Sequence, residues 1–393
     1  MTTSKPPSYR WVILFAYVFA FMTSFAYAFA IVQPSVPTFM KEFKLDLPTV
    51  LLIVTAMSVA AAVMSIPSGI LTDAWGIKRT TILSMVLLLI GWIICYIAPD
   101  FNVLLVGRSF IGLGGVTLSV VAPPAIISWF PPKEIGLAMG IWSIGMPLGL
   151  SWQIPFSTWV METYGWRTAY VFGAVFSLLF LAVLSFVVKP GPALPQAPPT
   201  EKRKISMADA FKSVEIWKFS IAVMLFIITF MTIQSAYQTW LIEVKGLDSL
   251  TAGSITGLIG LMGIIAAPIS GWISDKIGGR KKPMFALSAI LSGIAILLFA
   301  YIGPELVVPI TILIGFFLFM NPPHMFGIPP LLVRPELGGT ALGIVITFFY
   351  IAGIFGPMWI GSVYATQGIN MACIVQFILC VISALIALTV KTK

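Results

Sequence analysis

Gly69-Ile-Leu-Thr-Asp73-Ala-Trp-Gly76-Ile-Lys78-Arg79 returns about two hundred residues later as Gly271-Trp-Ile-Ser-Asp275-Lys-Ile-Gly278-Gly-Arg280-Lys281-Lys282. Each copy is a polar turn between long apolar runs, so the chain reads as a membrane-embedded unit built twice. Parallel halves related by an axis along the membrane normal give two bundles that can rock about a site at their interface. That arrangement is a transporter's.

Other pieces recur in the same order. Phe21-Met-Thr with Tyr27 is echoed by Phe230-Met-Thr with Tyr237, and Pro123-Pro124 with Pro131-Pro132 by Pro322-Pro323 with Pro329-Pro330. Glu134-Ile-Gly136-Leu-Ala-Met-Gly140 is echoed by Leu337-Gly-Gly339-Thr-Ala-Leu-Gly343. A common spacing across independent motifs is the mark of an internal repeat.

Composition points the same way: 59% of residues are hydrophobic, 9% are charged and the mean hydropathy is +1.02. Soluble domains carry about a quarter charged residues, so an integral membrane protein is expected. The first apolar run, from Trp11 to Val32, is long enough to span and has no small-residue cleavage site after it, which argues against a signal peptide. Cys95, Cys373 and Cys380 fall inside apolar runs, where they read as small buried side chains rather than a disulfide framework or metal ligands. No metal and no cofactor is expected.

Apolar runs near 11–33, 47–71, 80–98, 103–128, 136–160, 168–188, 218–241, 250–273, 284–303, 306–331, 339–363 and 370–390 make twelve spans, an even number that puts both termini on one side. With that side inside, its segments hold eighteen of the 23 Lys and Arg, the opposite loops hold only Lys41, Lys44, Arg167 and Lys245, and Arg108 lies within a span. The positive-inside rule then places both termini in the cytoplasm of a cell membrane. The net charge of +9 is explained by topology, and no nucleic-acid partner is implied.

Between the sixth and seventh spans, Pro190-Gly-Pro-Ala-Leu-Pro-Gln-Ala-Pro-Pro199 and Glu201-Lys-Arg-Lys204 form a stiff, charged spacer that cannot enter lipid. Residues 1–190 are expected to form one six-helix bundle, 191–215 a cytoplasmic linker and 216–393 the other bundle. Ile205 to Val214 reads either as a short amphipathic surface helix or as a solvated linker.

At this point the chain resembles the major facilitator superfamily over essentially its whole length. The Gly-x-x-x-Asp-x-x-Gly-x-Lys/Arg turn, Gly107-Arg108-Ser-Phe-Ile-Gly112-Leu-Gly114 in span 4 and Gly165-Trp166-Arg167 before span 6 carry the resemblance. It implies a monomeric transporter working by alternating access of two six-helix bundles around a central cavity. Gly140-Ile-Trp-Ser-Ile-Gly145-Met-Pro147 and Gly353-Ile-Phe-Gly356-Pro357 loosely resemble the glycine-proline signature of the family's antiporters, with Met146 splitting the first copy. Trp129-Phe-Pro-Pro-Lys133 resembles the loop of its carboxylate and anion branches, although Ile135 stands where those branches carry Arg and span 8 has no Arg.

The candidate gate is Gly69, Asp73, Gly76, Lys78 and Arg79 with Gly271, Asp275, Gly278 and Arg280. Pseudo-symmetry puts Asp73 before the start of span 11, near Gly339 and Thr340, and Asp275 before that of span 5, where a carboxylate meets the positive end of a helix dipole. The candidate cargo contacts are Arg108, His324, Tyr27, Gln153, Gln234, Gln238 and Asn321. Arg108 is either an anion-binding or coupling group or a structural cation that snorkels or bonds carbonyls. His324 is the only histidine, beside a double proline, and is either a proton-coupling group or a packing residue. Gln234 and Gln238 share one helical face and either line the cavity or glue helices. All fourteen carboxylates map to loops or span ends, which disfavours proton antiport through a buried acid and leaves His324 as the candidate if protons couple.

The expected function is transport of a small solute by rocking, with a small organic or inorganic anion such as a carboxylate as cargo. Export of lipophilic compounds is the alternative within the class. A non-transporting sensor is the alternative outside it, against which the shortness of the loops argues. No catalytic cluster can be assembled around one histidine, so no enzyme is expected.

Overall fold

The computed structural model describes residues 8–131, 134–189, 212–277, 280–333 and 338–391. Within them the chain is helical. Helix α1 covers Tyr9–Glu42 and α2 runs through Leu47–Val50 and Leu52–Trp75, followed by α3 Ile77–Ile97 and α4 Phe101–Ile127. Helix α5 is Ile135–Ser143 continued by Gly145–Tyr164, and α6 is Trp166–Val187. The second series is α7 Val214–Glu243, α8 Ser249–Lys276, α9 Lys281–Tyr301 and α10, split into Val307–Phe319 and Pro322–Gly327. Gly338–Thr389 holds α11 and α12, divided at Gly368, whose φ of 80° no helix contains.

Ten described stretches are long and apolar enough to cross a membrane. One of them, Ala341–Thr389, contains both α11 and α12, and the more polar α5 is not among the ten, so the helices are consistent with the twelve expected. The protein is a multi-pass membrane protein. Most of the expected linker and of the expected surface helix at Ile205 to Val214 lies outside the described residues.

The internal repeat extends to structural punctuation. Asp46 caps α2 by accepting from Thr49 N at 3.1 Å, and Asp248 caps α8 by accepting from Thr251 N at 2.9 Å. Gly165 and Gly368 take nearly the same left-handed backbone, φ 83° and 80°, to join α5 to α6 and α11 to α12. Only glycine adopts that conformation without strain. Close packing repeats too: a Cβ on Gly112 of α4 would overlap the Met57 carbonyl of α2, and one on Gly315 of α10 would overlap Ile259 of α8. Small residues let helices approach where no hydrophobic force between them operates in lipid.

The chain divides into two compact units: Met1–Ile31, Ala56–Gly149 and Val160–Glu201 in the first, and Val32–Thr55, Leu150–Trp159 and Lys202–Lys393 in the second. The second unit thus takes the far end of α1, the start of α2 and a stretch of α5. Within each unit, we call the ends joined by the loops after α1, α3, α5, α7, α9 and α11 its odd-loop face, and the opposite ends its even-loop face.

Candidate functional site

The densest polar constellation in the second unit lies toward its odd-loop face. Gln33, fully buried, lays its carboxamide along one turn of α7: Nε2 donates to Ile233 O at 2.7 Å, and Oε1 accepts from Gln238 N at 3.0 Å. A side-chain amide thereby plays the part of a peptide group against the helix backbone. Gln238 continues the knot, its Nε2 donating to Thr158 Oγ1 of α5 at 3.2 Å and to Ser249 O of α8 at 3.3 Å.

Backbone approach tightens the same region. A Cβ on Gly253 would run into Thr158, and one on Gly257 would lie 2.7 Å from Ser151 O. Between α2 and α11, Thr55 Oγ1 donates to Ile354 O at 2.7 Å, and a Cβ on Gly361 would lie 2.7 Å from a Leu51 methyl. In the loops of this face, burial lowers the pKa of Lys245, whose Nζ donates to Ile302 O at 2.7 Å. The carboxyl pKa of Asp248 is also lowered, by its hydrogen bonds from the Thr251 side chain and backbone.

One helical turn nearer the middle of α7, on the face that carries Gln238, stands Gln234. It is 4% exposed, and neither Oε1 nor Nε2 has a hydrogen-bond partner. Gln153 of α5 is likewise fully buried in this unit.

Elsewhere in the second unit, α10 breaks at Met320 and Asn321 before its double proline. Ser270 Oγ of α8 bridges that break, donating to Met320 O at 2.8 Å and lying 2.6 Å from His324 Nε2. Asn321 faces the other way, Nδ2 donating to Ser288 Oγ of α9 at 3.0 Å while Oδ1 accepts no hydrogen bond. His324 and Asn321 are three residues apart, yet they engage different helices.

In the first unit Arg108 is fully buried on α4, Nη2 donating to Met57 Sδ at 3.4 Å. Tyr27 is turned into the same unit: its hydroxyl donates to Ala169 O of α6 at 2.9 Å and its ring packs on Trp92 with centroids 5.5 Å apart. Helix α1 widens into a π-helical turn over Phe21–Ala26, with Phe25 filling the space left by Gly115 and with Ser24 Oγ buried and unbonded. Such turns are common at functional positions. At the even-loop face, Arg10 pairs with Glu134 at 2.9 Å and lies over Phe130, while Trp129 Nε1 donates to Lys189 O at 3.3 Å. The loop singled out in the sequence is therefore anchored to both ends of its unit.

The candidate gate is described in part. Gly76 starts α3 with φ 82°, and Lys78, Arg79 and Arg280 are exposed. The side chains of Asp73 and Asp275, those of Gly339 and Thr340, and Gly278 lie outside the described residues. A Cβ on Gly69, Gly76, Gly140, Gly271 or Gly343 meets no atom within 4 Å.

Helices of this number and apolarity, punctuated by duplicated caps and glycine turns, fit one family. The profile of the Major Facilitator Superfamily matches residues 13–357. The chain belongs to that superfamily. A hexuronate transporter of Bacillus subtilis is 25% identical over 340 residues, 81% of this chain and 79% of that one. A probable nitrate/nitrite transporter of Mycobacterium tuberculosis is 24% identical over 372 residues, 92% of this chain and 91% of that one. Among solved structures, a D-xylose-proton symporter superposes with a TM-score of 0.79 at 16% identity, covering 98% of this chain and all of that one, a likeness of fold. The superfamily member described here is a membrane transporter and not an enzyme.

Two expected site residues, Gln234 and Gln238, stand on one face of α7, and Gln238 alone joins Gln33, Thr158 and Ser249, none of them expected site residues. Arg108 and Tyr27 belong to the first unit, and His324 and Asn321 to the broken α10. Gln33 carried a signal of sorts, as an amide in a run whose other members are apolar, proline or the small Ser35, Ala30-Ile-Val-Gln33-Pro-Ser-Val-Pro37.

Proposed function

We propose that this transporter carries a small anion, organic or inorganic, such as a carboxylate, across the cell membrane by alternating access. The supporting observation is the charge of the interior: among the described residues Arg108 is the buried guanidinium and no carboxylate is buried. A cation held in low dielectric attracts an anion far more strongly than one in water, and without buried acids nothing repels the cargo. The relatives named for hexuronate and for nitrate and nitrite, both anions, support the same cargo class.

The even-loop face and both termini are cytoplasmic in this reading, on the strength of the Lys and Arg distribution. Asp73 and Asp275, with their glycines and cations, act as the gate, and Gln153, Gln234, Gln238, Tyr27 and Asn321 supply polar lining. If a proton is coupled, His324 is its carrier, with Ser270 as the hydrogen-bond partner that orients the ring. One chain in the bilayer forms the working unit.

Counterflow in proteoliposomes tests the cargo. Saturable exchange of a carboxylate is expected for the natural protein, with a loss of about 10- to 100-fold in Arg108→Gln, the weight of a charged hydrogen bond in a buried site. Full anion exchange by an Arg108→Gln protein of normal thermal stability would sink the anion reading, as would transport confined to lipophilic compounds.

A further inference from the structure

Gln234 is the one residue among the expected cargo contacts whose whole functional group is buried and unbonded. Its neighbours explain why the fold does not satisfy it. The carboxamide of Gln33 is engaged at both ends by Ile233 O and Gln238 N, the backbone groups on either side. One turn away, the Gln238 amide is engaged by Thr158 and Ser249. The knot holds α7 in a fixed rotation and leaves Gln234 outside it, on the same face. A buried amide with neither donor nor acceptor satisfied is costly, so its partner is expected to be something that comes and goes.

The chemistry of that partner follows from what a glutamine offers. Nε2 donates and Oε1 accepts. Nitrate, nitrite or a bare carboxylate carries acceptors only: it can satisfy Nε2, but it leaves Oε1 unpaired and sets the carbonyl's negative end against the anion. A hydroxyl satisfies both, donating to Oε1 while accepting from Nε2.

We propose that Gln234 reads a hydroxyl of the cargo, so that the transported anion is a hydroxylated organic acid rather than an inorganic oxyanion. The inference rests on the anion reading above, and narrows it. It makes Gln234 a specificity-determining residue and Gln33 a positioning residue that acts through the backbone of α7.

The test uses charge-matched pairs of ligands on the purified full chain, by thermal shift and by competition in counterflow: glucuronate against cyclohexanecarboxylate, lactate against propionate, together with nitrate and neutral glucose. In the natural protein the hydroxylated member of each pair is expected to win by about tenfold or more, since a site built for a hydroxyl rejects the analogue that lacks it. In Gln234→Met, close in shape but without donor or acceptor, the ratio within each pair is expected to fall toward one through weaker binding of the hydroxylated member. Equal binding within the pairs by the natural protein, or nitrate outcompeting the hydroxy acids, overturns the proposal without any variant. A hydroxyl preference that persists in Gln234→Met overturns it too. If glucose competes in a Gln234-dependent way and no anion does, the hydroxyl contact stands and the anion reading fails. If nothing in the panel binds, both fall.

Discussion

The odd-loop end of the second unit and the even-loop turns of the two repeats are built from opposite materials. At the first, Gln33, Thr158 and Gln238 interlock α1, α5, α7 and α8 through buried hydrogen bonds, and Gly253 and Gly257 let backbones touch. At the second, a Cβ added to any of the described glycines of the duplicated motif, Gly69, Gly76 and Gly271, would meet no atom within 4 Å. Under the gating role proposed above, that repetition would serve a contact made at some other stage of the transport cycle.

Glycine substitutions give the widest separation between the two regions. Gly253→Val puts a branched side chain where Thr158 already sits, an overpacking expected to destabilise by about 1 to 3 kcal/mol. Gly271→Ala fills empty space and should move stability by no more than about 0.5 kcal/mol, the range for substitutions away from packed features. If the duplicated turn gates the transporter, Gly271→Ala nevertheless slows counterflow. Melting temperature measured beside transport rate separates the two, and a Gly271→Ala protein that melts early yet transports at the normal rate would reverse the assignment.

The Gln33 knot comes next in size. Gln33→Leu keeps the volume of the side chain but leaves Ile233 O and Gln238 N with one partner fewer each, at a cost of about 1 to 3 kcal/mol for the buried groups. The same substitution frees the far end of α1 from α7. Labelling of a cysteine placed at Ser35 by a membrane-impermeant reagent is expected to quicken. Unchanged stability together with unchanged labelling would mean that the knot bears no weight.

These contrasts mark how far the sequence could be read. The fold is legible because it rests on patterns of apolar runs and on motifs that recur in the same order about two hundred residues apart. That repeat includes paired cap and turn signals readable by residue type alone: Asp46-Leu-Pro-Thr49 against Asp248-Ser-Leu-Thr251, and Gly165 against Gly368. The knot was out of reach for a physical reason. Gln33 bonds to backbone atoms of Ile233 and Gln238, and backbone atoms leave no residue signature. Gln234 and Gln238 are the same residue type on one face four positions apart, and only coordinates reveal that one amide is engaged and the other is not. The echo of Tyr27 in Tyr237 extends to their bonding: Tyr27 bonds Ala169 O, and Tyr237 bonds Thr311 at 2.6 Å, each phenol within its own unit.

The smallest effect expected belongs to the caps of the odd-loop face, and it has a definite sign. Asp248 accepts from Thr251, which holds its carboxyl pKa below the ordinary value of about 3.9. A carboxyl whose pKa is lower folded than unfolded contributes stability above the unfolded value and loses it as pH falls through the folded one. The start of α8 is therefore firm at neutral pH and loosens only on strong acidification. Because α8 supplies Ser249 O to the Gln238 knot, that loosening should be felt there. Asp248→Asn can still cap a helix but no longer titrates, so it should match the natural protein's melting temperature near pH 7 and show a shallower decline between about pH 5 and pH 3. An identical acid-side decline in the two proteins would assign that loss to other carboxylates and remove Asp248 from the support of the odd-loop face.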